Sequence, residues 1–141
     1  MIQNATIHTN SKILRTSSKI PTIIVVSKRA QKKNLQRLEK FPDQVIVCGK
    51  YTVNIKKLLV ILKKKGIRNI LVEGGGITNW SFVKKNLVDE AIITITPYLV
   101  GGMSATTLVD GDGFSNIVKA IRLKLKNVKK IKNEVILHYE N

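Results

Sequence analysis

The sequence predicts an α/β fold in three layers: a mixed, mainly parallel sheet with helices on both faces and a C-terminal antiparallel hairpin. Three observations predict it. Short β-branched runs alternate with helix-period segments over residues 22–96, an order that calls for right-handed crossovers between parallel strands. The strand candidates Ile23 to Val26 and Ile70 to Val72 are continuously apolar, as in strands covered on both faces. Beyond residue 118 the pattern changes to apolar–basic alternation, which marks a strand with one wet face. By size, residues 1–141 make one domain.

Taken in order, residues 2–8 hold a weakly signalled strand, and the Ser/Thr/Asn/Lys-rich stretch 9–19 reads as a loop. Pro21 precedes the strand run Thr22 to Ser27, and Ser27 is placed to cap a surface helix over about residues 30–40. Pro42 and Asp43 stop that helix, and Gln44 to Cys48 form the next strand. Asn54 can cap a helix in which Ile55, Leu58, Leu59 and Leu62 fall on one face, with Lys63, Lys64 and Lys65 at the negative end of its dipole and Gly66 just beyond. A strand over 68–73, a helix from about Thr78 to Lys85 and a strand from Ala91 to Thr96 follow. Residues 99–116, with four glycines and two aspartates, form a long loop of the length that is usually functional. Residues 119–126 alternate as an antiparallel strand, Asn133 supports a turn, and Val135 to Tyr139 pair back.

The formal net charge is +16, carried by twenty lysines and only five arginines. Such a surplus attracts nucleic acid, acidic lipid or phosphorylated metabolites. Specific nucleic-acid recognition, however, calls for arginines and aromatics interleaved with the basic residues, and the seven aromatics here lie outside the Lys/Arg clusters. The longest apolar runs, Ile23 to Val26 and Leu58 to Leu62, are too short to span a bilayer, and the N-terminus lacks the order of a signal peptide. One cysteine, Cys48, forms no internal disulfide, so a reducing cytoplasm is expected.

The stretch most suited to chemistry is Arg68-Asn69-Ile70-Leu71-Val72-Glu73-Gly74-Gly75-Gly76-Ile77-Thr78-Asn79-Trp80. An apolar strand runs through an acid and three glycines into a helix. Glycines allow positive φ and close approach of the backbone to a ligand, and a helix N-terminus adds partial positive charge, so the turn suits a phosphate. A cramped structural turn is the competing reading. His8 and His138 lack metal-spaced companions and read as solvated strand residues. Cys48 reads as a buried small hydrophobe, Asp110 and Asp112 as turn formers, and Trp80 as a core anchor.

Four segments, in order, resemble one family: Leu71 to Gly76, Leu87 to Glu90, Thr96 to Gly102, and Thr107-Leu108-Val109-Asp110-Gly111-Asp112-Gly113-Phe114. Over residues 4–139 the chain is similar to the reductase domain of riboflavin biosynthesis, above all its stand-alone archaeal type, with a dihydrofolate-reductase-like fold. The resemblance implies NADPH-dependent reduction of the ribosylamino group of a pyrimidine 5′-phosphate to ribitylamino, in a homodimer. It places Gly74, Gly75 and Gly76 at the cofactor diphosphate, and Glu73 in the cleft near the substrate ribose, with a structural carboxylate as the alternative. It sets Ser27 and Lys28 at the adenosine 2′-phosphate, where a helix cap and a solvated lysine are the competing reading. Gly49 would lie beside the adenosine half, or serve as a plain turn.

The family begins with an apolar strand bearing an Asn/Ser/Leu-Asp-Gly pattern, followed by a helix and a Gly-x-x-Thr segment. Neither pattern stands ahead of the apolar run Thr22 to Ser27 here. The expectation is a domain that starts after the family's first third and lacks part of the nicotinamide and substrate pocket. Two alternatives follow: a basic α/β module that binds nucleic acid or another polyanion by charge, and a non-catalytic dimerising remnant.

Overall fold

A computed structural model describes residues 6–8, 10–41 and 44–141. Most of the strand expected over 2–8, and the helix stop at Pro42 and Asp43, lie outside the described residues. The chain divides into two units, Met1–Ile70 and Leu71–Asn141.

In the first unit β1 (Ile23–Val26) pairs in parallel with β2 (Gln44–Val47), Val26 opposite Val47. The connection between them carries α2 (Lys32–Leu38), in the expected stretch. The uninterrupted apolar run of β1 is buried unevenly: Ile24 and Val26 are buried while Ile23 and Val25 are half-buried. A core of Ile7, Leu14, Ile24, Val26, Ala30 and Leu38, flanked by Leu35, Phe41 and Val45, accounts for the better-covered face. Cover on both faces was expected for this run, and within its own unit one face is covered more fully than the other.

The stretch expected as loop before β1 contains a short helix, α1 (Lys12–Thr16). Five residues have no intrinsic reason to stay helical. Leu14, 2% exposed, inserts into the core and holds the turn there, a tertiary contact invisible to local composition. At the end of β2, α3 (Ile55–Lys64) follows the sequence reading closely: Asn54 Oδ1 accepts from the Lys57 amide at 3.1 Å. Its C-terminal turn closes with the Gly66 amide on the Lys63 carbonyl (3.0 Å) and the Ile67 amide on the Leu62 carbonyl (3.1 Å).

In the second unit α4 (Gly76–Val83) precedes an antiparallel sheet in the order β3 (Glu90–Ile95), β5 (Glu134–Glu140), β4 (Lys124–Ile131). A single-turn 3-10 helix at Ile117–Lys119 ends the long loop. The alternating strand expected over 119–126 therefore begins later, at Lys124, and runs to Ile131. A register shift between Leu125 and Asn127 breaks the alternation there, so the pairing continues across residues whose pattern no longer looks like a strand.

Residues 68–73, expected as a buried strand, have no ladder, and Leu71 is 79% exposed. A strand is a cooperative object: β-branched residues favour it only when a neighbour satisfies the amides and carbonyls. No described strand pairs with this stretch.

Candidate cofactor site

The three glycines do different things. None has a positive φ, contrary to the conformational reason for expecting them. Gly75 is the N-cap of α4 with φ −70° and ψ 171°, and Gly76 is the first helical residue. A Cβ on Gly74 would crowd the Thr78 side chain, 2.6 Å from its Cγ2. One on Gly76 would run into the Asp110 carboxylate and lie 2.7 Å from the Asp110 amide nitrogen. Gly75 faces open space, with no atom within 4 Å of where its Cβ would stand. Packing therefore explains two of the glycines, while the middle one stands at an N-cap position with no neighbour that forbids a side chain.

At the start of α4 the Thr78 amide donates to the Gly75 carbonyl at 2.8 Å and the Asn79 amide to the same oxygen at 3.1 Å. The amides of Gly75, Gly76 and Ile77 have no acceptor among the described residues. These are the donors that a helix leaves over at its beginning. Together with the bare Gly75 these donors suit an anion, supported by the positive end of the helix dipole. Glu73, the residue before the glycines, is exposed and makes no hydrogen bond or ion pair among the described residues, so the structural-carboxylate alternative finds no partner there.

The long loop returns over this turn as a strap, residues 107–114. Asn79 Nδ2 donates to the Leu108 carbonyl at 2.8 Å. The hydroxyl of Thr107 faces both the Asp110 carboxylate and the Val109 carbonyl, the latter at 3.1 Å. Gly111 takes φ +132° beneath the Trp80 indole, and a Cβ there would sit 2.7 Å from the ring nitrogen, so only glycine passes. Phe114 meets Trp80 edge-on at 4.9 Å and 74°. Trp80 is thus the anchor that the sequence suggested, 8% exposed, with Nε1 buried and unpaired among the described residues. Asp110 is more than a turn former: it seats on the helix start. The only sequence signal for this was the unusual length of a loop rich in Asp-Gly pairs.

In the first unit the carboxyl ends of β1 and β2 lie side by side. The Cys48 amide donates to the Val26 carbonyl at 2.8 Å and the Lys28 amide to the Gly49 carbonyl at 2.9 Å. Ser27, Lys28 and Gly49 are therefore brought together where open parallel sheets bind ligands. Lys28 is exposed, but Ser27 is fully buried, so its hydroxyl is not presented to an incoming phosphate. Nor does Ser27 cap α2, whose N-cap is Gln31. Its Oγ accepts from the Arg29 amide at 3.3 Å and turns the chain out of β1. Gly49 has φ +100°, and a Cβ on it would strike the Thr52 carbonyl and come within 2.7 Å of the Asn54 nitrogen, which makes the turn a sufficient reason for glycine.

Cys48 is buried, with its thiol directed at the Asn54 carbonyl at 3.3 Å. His138 is held by Glu90 at 2.5 Å on the antiparallel sheet instead of standing free in solvent. No group of three or more His, Cys, Asp or Glu side chains suited to a metal occurs among the described residues. No helix is long and apolar enough to cross a membrane among the described residues.

A parallel strand pair with one crossover helix in the first unit, and a glycine-turn helix followed by an antiparallel sheet in the second, make an α/β fold of the dihydrofolate-reductase-like class. The chain belongs to the RibD C-terminal domain family, whose model matches residues 3–137. It is 37% identical over 123 residues to a protein from Aquifex aeolicus named 2,5-diamino-6-ribosylamino-4(3H)-pyrimidinone 5′-phosphate reductase, covering 87% of this chain and 54% of the relative. A protein of the same name from Methanothermobacter thermautotrophicus is 39% identical over 119 residues, covering 84% and 55%. The chain thus spans about half the length of the curated relatives it matches. Among solved structures, a pyrimidine reductase-like protein from Corynebacterium diphtheriae superposes with a TM-score of 0.81 at 19% identity, over 99% of this chain and 58% of that one. RibD from Acinetobacter baumannii superposes with a TM-score of 0.76 at 22% identity, over 98% and 35%. These two likenesses concern the fold.

Proposed function

We propose that this chain is an NADPH-dependent oxidoreductase domain of riboflavin biosynthesis, acting on a pyrimidine 5′-phosphate whose ribosylamino group becomes ribitylamino. The observation that carries the reading is Gly75: a residue with ordinary φ, open space around it and unclaimed amides on either side has no steric reason to lack a side chain, and its N-cap position suits Ser, Asn or Asp at least as well as glycine. A cofactor diphosphate approaching those amides supplies the reason. The names of the relatives from Aquifex and Methanothermobacter supply the substrate class.

In this reading Gly74, Gly75 and Gly76 line the diphosphate cradle, with Gly74 and Gly76 also shaped by their neighbours. Lys28 offers its ammonium to the adenosine 2′-phosphate, Gly49 turns the backbone beside it, and Ser27 positions Lys28 from within. Glu73, exposed and unpaired, faces the substrate ribose and orients its hydroxyls or relays the proton that accompanies reduction. NADPH, when bound, supplies the hydride. Opening a ribosyl to a ribityl group takes one hydride on the sugar carbon attached to nitrogen and one proton on the former ring oxygen, so the domain must hold two partners in contact and exclude water between them. We further propose a single folding domain, a homodimer and a cytoplasmic setting.

The test is a titration of NADPH against NADH at rising salt, followed by Trp80 fluorescence. The expected outcome is saturable binding with a preference for NADPH that survives about 0.2 M salt, where the Debye length has fallen below about 8 Å. Replacing Gly75 by Val should abolish that binding while the circular dichroism spectrum stays unchanged. Unaltered affinity in the Val variant would make the turn purely structural, and binding that collapses with salt for both cofactors would leave only a polyanion-binding surface.

A further inference from the structure

We propose that Asp110 is a positioning residue for the cofactor: held by Thr107 and seated on Gly76, it fixes the glycine turn in the shape that receives the diphosphate. The inference rests on the cofactor reading above and deepens it.

The contacts argue for a seat of defined shape. Asp110 meets the first residue of α4 with both its carboxylate and its backbone nitrogen, so even a methyl group on Gly76 would push it away. The Thr107 hydroxyl, three residues back, fixes the carboxylate. The strap on either side is pinned to the same helix, by Asn79 at Leu108 and by Trp80 at Gly111 and Phe114. The helix start and the strap therefore move as one piece, and the amides of Gly75, Gly76 and Ile77 share its orientation. Hydrogen-bond donors recognise an anion well only when they are aimed before it arrives, because aiming them afterwards costs ordering entropy. Asp110 takes no acceptor role toward these amides itself, which leaves them to the ligand.

The test measures NADPH affinity in the full chain and in Asp110→Ala, Asp110→Asn and Thr107→Val, with thermal midpoints alongside. Asparagine keeps the shape and the bond to Thr107 and loses only the charge. Expected are a roughly tenfold weaker affinity for Asp110→Ala and Thr107→Val, and a value within about twofold of the parent for Asp110→Asn, on the scale of one lost side-chain hydrogen bond. A purely structural role would lower the thermal midpoint and leave the affinity of the folded protein alone, and that result overturns the proposal. It is equally overturned if Asn weakens binding as much as Ala, or strengthens it several-fold, since the charge and not the seat would then be acting. Should Asp110→Ala fail to fold, Thr107→Val, which keeps the Asp110 side chain and removes only the bond that fixes it, decides between the same outcomes. Failure of the unsubstituted chain to bind NADPH overturns the cofactor reading itself, and this inference with it, which is distinct from the variants all binding alike.

Discussion

Gly49 and Gly75 both lack a side chain, and the structure separates their reasons. At Gly49 a backbone at φ +100° and the Thr52 carbonyl leave no room for a Cβ, so the glycine serves folding. At Gly75 the backbone suits any residue and the space is empty, so nothing packed inside the chain forbids a side chain there. Urea unfolding should therefore show Gly49→Ala destabilised by about 1–3 kcal/mol, the usual range for a strained backbone with a clash. Gly75→Ala should cost less, about 1 kcal/mol at most, the usual N-cap preference for glycine over alanine. Equal losses at both positions would remove the argument for a ligand at the glycine turn. Ser27 gives a lesson at the same scale: a hydroxyl well placed in sequence to cap a helix or bind a phosphate is instead fully buried, spent on the turn that presents Lys28.

At the scale of elements, the antiparallel sheet carries its own electrostatics. Lys126 Nζ lies 2.9 Å from Glu140 Oε2 across the β4–β5 ladder. The hydrogen bond from Lys126, and then its charge, hold the Glu140 carboxyl below its ordinary value, and Lys126 is raised in return. A carboxyl depressed by folding stabilises the protein above the ordinary carboxylate range, and that contribution is lost as pH falls through the folded value. The lysine's contribution persists until the solution is strongly alkaline. Thermal midpoints of the parent and of Glu140→Gln should accordingly differ slightly at neutral pH and converge in acid, the small size following from full exposure of the pair. A gap that stays constant into acid would assign the difference to packing of the side chain and not to its charge.

At the scale of the molecule, the boundary between the two units falls along the chain in the stretch that the sequence reads as a strand, and the family match runs across both. A single folding domain predicts one cooperative unfolding transition. Trp80, the only tryptophan, reports on the second unit, while far-UV circular dichroism reports on both. The two signals should share one midpoint in urea. Separate midpoints would mean that the units fold independently and that the single-domain proposal fails. The +16 charge bears on this scale too: mutual repulsion of like charges weakens with salt, so moderate salt should raise the common midpoint.

The α/β class, the helix capped by Asn54, the strand β3 with the C-terminal strand β5, the core role of Trp80 and the glycine turn before a helix were all legible in the sequence. Each depends on neighbours within a few residues or on a fixed periodicity. The ordered motifs also carried the family. What only the tertiary structure decided was everything that depends on a distant partner: that α1 forms because Leu14 finds a core, that 68–73 stays without a ladder, that a register shift interrupts the alternation of β4, and that Asp110 comes back thirty-four positions later to rest on Gly76. Local pattern reports the conformations a segment prefers. Which preference prevails is set by contacts whose energy exceeds those small preferences, and their sequence separation leaves no periodic trace.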